Sequence, residues 1–185
     1  MKVDRKYEKY GISLKLVEIQ DAEFILELRT NDEQRAKYLS QTEKDVEKQR
    51  EWIRKYKERE ALGYDYYFIA VDEYDRRLGT VRIYDIGKEV FTSGSWIFFK
   101  KAPVDVAMKA FFIVLDIGFN ELKLQKCAFE IHKENKGLLK YQSRFRASKE
   151  YEEADFLYFT ISYRQYSIQR DNILNILEKR KNIND

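Results

Sequence analysis

Proline is nearly missing from this chain: one residue of 185, Pro103, accompanied by only seven glycines, one cysteine and one histidine. With no Pro- or Gly-rich stretch, low-complexity tract or internal repeat, no interdomain linker is visible, and the length suits a single domain over residues 1–185. The lone Cys127 excludes an internal disulfide and suits a reducing compartment. No apolar run reaches membrane-spanning length, and "MKVDRKYEKYGISLKL" lacks the apolar centre of a signal peptide. The expectation is a cytoplasmic protein with no membrane contact. Charge of one sign is lacking too: 35 Lys and Arg oppose 32 Asp and Glu, for a net +3. A nucleic-acid binder concentrates its basic residues in a stripe, and only the tail "EKRKNIND" approaches one, so nucleic acid is not an expected partner. No metal is expected either. With 44% hydrophobic and 36% charged residues the composition is that of an ordered globular chain.

What is present is a succession of strand and helix signals. "ISLKLVEI" alternates, with Ile12, Leu14 and Leu16 on one face. "DAEFILELRTN" predicts a short helix, and "SQTEKDVEKQREWIRKYKEREALG" a longer one with Thr42 as N-cap, Asp45 completing a capping box and Gly63 at its end. "YYFIAV", "TVRIYDI" and "VFTSGSWIFF" follow with turn-like joints, a predicted antiparallel meander. A helix is predicted from about Pro103 to Leu122, with Pro103 at its first position, then a strand "KCAFEIH". The strand–helix–strand unit between residues 90 and 132 should make its two strands parallel. "KENKGLLKYQSRFRA" predicts a helix, "ADFLYFTISY" a closing strand, and "QRDNILNILEKR" a terminal helix over about 167–181. The fold class is α+β, one mixed sheet with helices on its faces.

The turn "FFKKAPVD" leads from a strand straight into a helix, where unpaired N–H groups can hold a phosphate, yet it contains no glycine. Glu130 and His132 stand at i, i+2 on one face of "KCAFEIH", and His132 is the only histidine. Each also reads as an ordinary surface residue of a strand.

In their order and spacing, the strings "ILELRTNDEQRAKYLS", "GTVRIYD", "GSWIF", "LDIGFNELKLQK" and "IHKENKGLLKYQSRFRAS" resemble the GNAT superfamily of acetyl-CoA-dependent N-acetyltransferases. More narrowly, they resemble its bacterial branch that acetylates amino sugars on nucleotide carriers. The resemblance covers about residues 11–166. It implies a mostly antiparallel sheet whose two central parallel strands splay apart, helices on both faces, and acetyl-CoA as co-substrate in the gap. It implies a small-molecule amine as the other substrate, and a monomer or homodimer.

Carried over residue by residue, the resemblance assigns the cofactor to Phe98, Phe99, Lys100, Lys101, Ala102, Val104, Ala107 and Asn135. Backbone N–H groups around Phe98 and Phe99 would polarise the thioester carbonyl. The family's phosphate loop, Q/R-x-x-G-x-G/A, falls on Ala102, Asp105 and Ala107, of which Ala107 alone agrees. Asp105 is expected to turn outward and cap its helix, with Lys100 and Lys101 either supplying positive charge or simply solvated. A Tyr or His seven residues after Asn135 would protonate the departing thiolate; Gln142 stands there, and Tyr141 one place early. Arg146 replaces a helix-ending glycine, so that cap is expected to rearrange. Glu130, His132 and Tyr141 are the catalytic candidates. Arg29, Arg82, Tyr84 and Trp96 are the substrate candidates, Arg for a diphosphate and the aromatics for stacking, though each also reads as structural. The departures in the loop and at Gln142 equally fit a chain of this fold that has lost the reaction and serves as a binding module. A peptide N-terminus or a polyamine is the alternative acceptor.

Overall fold

Strands that alternate in sequence pair into one sheet in a computed structural model, which describes residues 3–30, 43–103 and 105–184. The strands are β1 (Lys6–Lys9), β2 (Ile12–Leu16), β3 (Tyr66–Val71), β4 (Arg77–Tyr84), β5 (Val90–Phe98), β6 (Lys126–His132), β7 (Ser148–Glu153) and β8 (Phe156–Ser162). Their order across the sheet is β1-β2-β3-β4-β5-β6-β8-β7. Among the described residues β5–β6 is the one parallel pair, as the crossover through an intervening helix requires. The helices are α1 (Ala22–Thr30), α2 (Val46–Leu62), α3 (Val106–Asp116), α4 (Lys136–Gln142) and α5 (Tyr163–Asn184).

β3 is buried along its whole length because both faces are covered. On one face Tyr67, Ile69 and Val71 meet Ile25 of α1 and Ile53 and Tyr56 of α2. On the other, Tyr66, Phe68 and Ala70 join the larger core around α3. α3 is not the one-striped helix that its spacing predicts: nearly every residue from Val106 to Asp116 is buried. Its outer side is roofed by Phe145 and by Tyr166 of α5, whose rings lie 5.4 and 6.1 Å from Phe112. A helix enclosed on all sides needs apolar residues all round. The exception, buried Asp116, accepts hydrogen bonds from Tyr10 (2.9 Å), Tyr166 (2.6 Å) and Asn120 (3.1 Å), with Lys9 at 3.2 Å. That carboxylate ties the first hairpin to α5.

Several boundaries differ from those predicted. Asp45, not Thr42, caps α2, accepting from the N–H groups of Glu47 and Lys48; Thr42 lies outside the described residues. α3 starts at Val106, because Pro103 sits in the preceding turn, where its carbonyl accepts from Val106 N–H at 3.1 Å. It passes at Ile117 into a π turn ending at Glu121. The terminal helix begins at Tyr163, before the predicted 167. Arg146 holds the left-handed position of the missing glycine (φ 53°), so that cap keeps its shape. Among the described residues no helix is long and apolar enough to cross a membrane.

Candidate active site

β5 and β6 pair over three residues, Val90–Lys126, Phe91–Cys127 and Thr92–Ala128, and then part. The cause lies on the other side of β5. There Thr80 of β4 faces Ile97 and Arg82 faces Gly94, so Ser95 and Trp96 together oppose Val81. This bulge puts Ser95 at φ 48° and is held by Thr80 Oγ1 donating to the Ser95 carbonyl at 2.9 Å. A bulge bends the strand that carries it, and β5 swings away from β6 from that point.

The fork holds a cavity of about 540 Å³. Ile97, Phe98, Phe111, Phe129 and Leu138 form apolar walls, and Glu130, His132, Asn135 and Gln142 lie along the β6–α4 side. Arg29, Arg82, Tyr84 and Trp96, the expected substrate residues, line the same cavity, as does Ala107. Arg82 is less available than its side chain suggests: its Nε donates to buried Asp65 at 2.7 Å and a second nitrogen bonds the same carboxylate. Its guanidinium lies over Trp52 (5.1 Å) and Tyr84 (4.8 Å). The indole N–H of Trp96 donates to the Ala107 carbonyl at 3.0 Å, fixing the ring against α3.

On the cofactor side, Phe99 N–H donates to the Leu78 carbonyl at 2.9 Å, so it has no N–H for a thioester. Amides alternate sides along a strand, which turns Phe98 N–H toward the opening instead. Lys100 and Lys101 are exposed in the turn and Ala102 N–H closes it onto Phe99 at 3.0 Å. Asp105 makes no side-chain cap; it pairs with Lys109 at 2.6 Å, which turns its charge away from the loop. Val104 and the Tyr141 side chain lie outside the described residues.

Asn135 Oδ1 accepts from Leu138 N–H at 3.1 Å and so starts α4. His132 Nδ1 accepts from Glu134 N–H at 3.2 Å, which commits that nitrogen to the turn. Gln142, set aside in sequence for its inability to give up a proton, is only 6% exposed, and its Oε1 has no partner among the described residues. A buried acceptor left unpaired is costly. The pantetheine arm of acetyl-CoA carries an apolar spacer, which the apolar walls of the cavity fit; Gln142 Oε1 is closed off from solvent. Gly94, overlooked in sequence, supplies the floor; its signal was a glycine inside an alternating strand.

The model of a family described as an acetyltransferase (GNAT) domain matches residues 12–145. No curated protein matches the chain. Among solved structures the chain is similar to apo FdhC, a nucleotide-linked sugar GNAT, with 33% identity over 92% of this chain and 97% of that one, TM-score 0.83. It is similar in fold to Mycobacterium smegmatis RimJ in complex with CoA-disulfide (16% identity, 83% of each chain, TM-score 0.71). A chimera of the Vibrio cholerae spermidine N-acetyltransferase SpeG with hSSAT shares the fold as well (17% identity, 84% of this chain and 98% of that one, TM-score 0.71).

Proposed function

This chain belongs to the GNAT acetyltransferase family, and we propose that it is an N-acetyltransferase whose acceptor is an amino sugar carried on a nucleotide. The fork between β5 and β6 carries the reaction, because apolar walls, Asn135 and the Glu130 carboxylate line one cavity there. The acceptor class is supported by the 33% identity to a nucleotide-linked sugar GNAT. Acetyl-CoA, when bound, supplies the acetyl group as a thioester.

Phe98 N–H faces the carbonyl oxygen and stabilises the charge that develops on it. The Asn135 amide holds the pantetheine arm, and the apolar walls exclude water. Glu130 receives the proton that the acceptor's ammonium gives up, which frees the nitrogen lone pair for attack. With Nδ1 of His132 held by Glu134, Glu130 is the better base. Arg29 stands on the acceptor side, where its charge suits a diphosphate, while the Arg82 guanidinium is already bonded to Asp65.

Two measurements test this. Acetyl-CoA at about 100 times its Kd should raise the unfolding free energy by about 2.7 kcal/mol. Release of CoA is then followed with nucleotide-linked amino sugars, spermidine and a peptide N-terminus as acceptors. Turnover is expected on the sugars. Preference for spermidine or the peptide would replace the acceptor, and stabilisation without turnover on any amine would identify a chain that binds but does not transfer. No stabilisation at millimolar acetyl-CoA would remove the co-substrate.

A further inference from the structure

Across the mouth of the fork, on the face turned away from α3, four residues from four strands share one side of the sheet. Tyr84 comes from β4, Gly94 from β5, Glu130 from β6 and Tyr158 from β8. The registers place them: Arg82 faces Gly94, Tyr84 faces Thr92, Thr92 faces Ala128, and Glu130 faces Tyr158. Residues opposite one another or two apart lie on the same face. Gly94 and Glu130 are therefore the first residues of that face beyond the last β5–β6 pair.

Tyr84 does not stay over its own strand. A Cβ built on Gly94 would lie 2.8 Å from both Cε1 and the hydroxyl oxygen of Tyr84. The phenol therefore occupies the space that a side chain on β5 would fill, with its hydroxyl over Gly94. Glu130 feels it there: burial first, and then the Glu130 charge, push the Tyr84 phenol up to about 12. Asp85 and Asp65 act in the same direction and Arg82 in the opposite one. At any ordinary pH Tyr84 is thus a protonated donor and never an anion. Both Tyr84 and Glu130 line the cavity.

We propose that Tyr84, reaching over Gly94, and Glu130 together recognise a vicinal amino alcohol. Glu130 faces the amine, and Tyr84 O–H donates to the hydroxyl on the neighbouring ring carbon. An amine and the hydroxyl beside it on a sugar ring lie about one hydrogen-bond length apart, which suits one acceptor and one donor side by side. A polyamine carries no hydroxyl beside its amine, so it offers Tyr84 O–H no acceptor at that position. Tyr84 keeps its proton throughout; only Glu130 takes one. This rests on the reading of Glu130 as the base and deepens it by naming what the acceptor must carry next to its nitrogen. Gly94 is a positioning residue, since its missing side chain is what admits the ring.

The test uses two amines that differ by one hydroxyl, trans-2-aminocyclohexanol and cyclohexylamine, with kcat/KM read from CoA release. Where turnover is slow, the ratio of their inhibition constants against a nucleotide-linked amino sugar reads the ground-state part of the same preference. The whole protein should favour the amino alcohol by about tenfold, the net worth of one ordinary hydrogen bond. Tyr84→Phe should bring the ratio to about one. Gly94→Ala should do the same by evicting the ring, and the double variant should be no worse than either single one. Glu130→Gln should slow both amines together. A wild-type ratio near one, or a ratio that survives Tyr84→Phe, overturns the inference while leaving the transferase reading standing. Additive losses with an unchanged ratio would mark Gly94 as a packing residue only. Absence of CoA release with every amine would remove the transferase reading and this inference with it.

Discussion

At the scale of one side chain, Asn135 is a helix cap and, in the function proposed above, also a hold on acetyl-CoA. Its oxygen caps α4 through Leu138 N–H, while the rest of its amide lines the cavity. The two duties separate by substitution. Asn135→Asp keeps an oxygen for the cap but removes the N–H donors, so thermal unfolding should stay within about 0.5 kcal/mol while the Kd for acetyl-CoA rises several-fold. Asn135→Ala should lose about 1 kcal/mol of stability as well. Calorimetric melting beside a CoA titration decides it: equal affinity in Asn135→Asp would leave Asn135 as a cap alone. Much of the site at this scale was legible in the residues. Glu130 and His132 stand out by type and spacing, and Asn135, Arg82, Tyr84 and Trp96 come with the family resemblance; all six line one cavity. What spacing does not carry is who already holds each group. The ion pair of Arg82 with Asp65, 17 residues away, the turn that takes His132 Nδ1, and the burial of Gln142 are facts of three-dimensional neighbourhood.

Elements were readable where one face is apolar and the other is not. β2, β4 and β6 alternate, and β3 reads as a buried run. β1 ("KYEK") and β7 ("SKEYEE") were missed because they lie at the two edges, almost fully exposed, with charges that discourage further pairing. Such strands are specified by a neighbour rather than by periodicity. The end of α3 was misread for a related reason. The apolar spacing runs on through Phe119, but a π turn re-aims the chain at Gly118, where a Cβ would stand 2.1 Å from Cζ of buried Phe91. Gly118→Ala should therefore destabilise by about 1–3 kcal/mol, the cost of overpacking a closed core. Combining it with Phe91→Leu should cost less than the two separate losses added, as measured by urea unfolding, because the leucine vacates the ring's edge. Full additivity would mean that the contact has no energetic weight.

Over the whole molecule, buried phenols are the common thread between the sheet and its helices. Burial pushes Tyr7, Tyr56 and Tyr166 up, with carboxylates Glu121, Glu60 and Asp116 adding to the shift in turn; Tyr84 reaches about 12. Their ordinary value is 10.0. Above pH 10 the unfolded chain gives up protons that the folded chain keeps, so the stability these groups contribute is complete below pH 10 and is lost as pH rises beyond it. Melting temperatures followed from pH 8 to 12 should fall with increasing slope above pH 10, and Tyr166→Phe should fall less steeply. An identical slope in that variant would assign the alkaline loss to other groups. The bulge at Ser95 and Trp96 acts on the same scale. It parts β5 from β6 through the course of the main chain alone, so the residues on the two banks are released from holding the sheet together there. Exposed positions on those banks, unlike Trp96 with its indole bonded to α3, can be exchanged without loosening the frame, and one scaffold can be refitted to new amines by substitution at its rim.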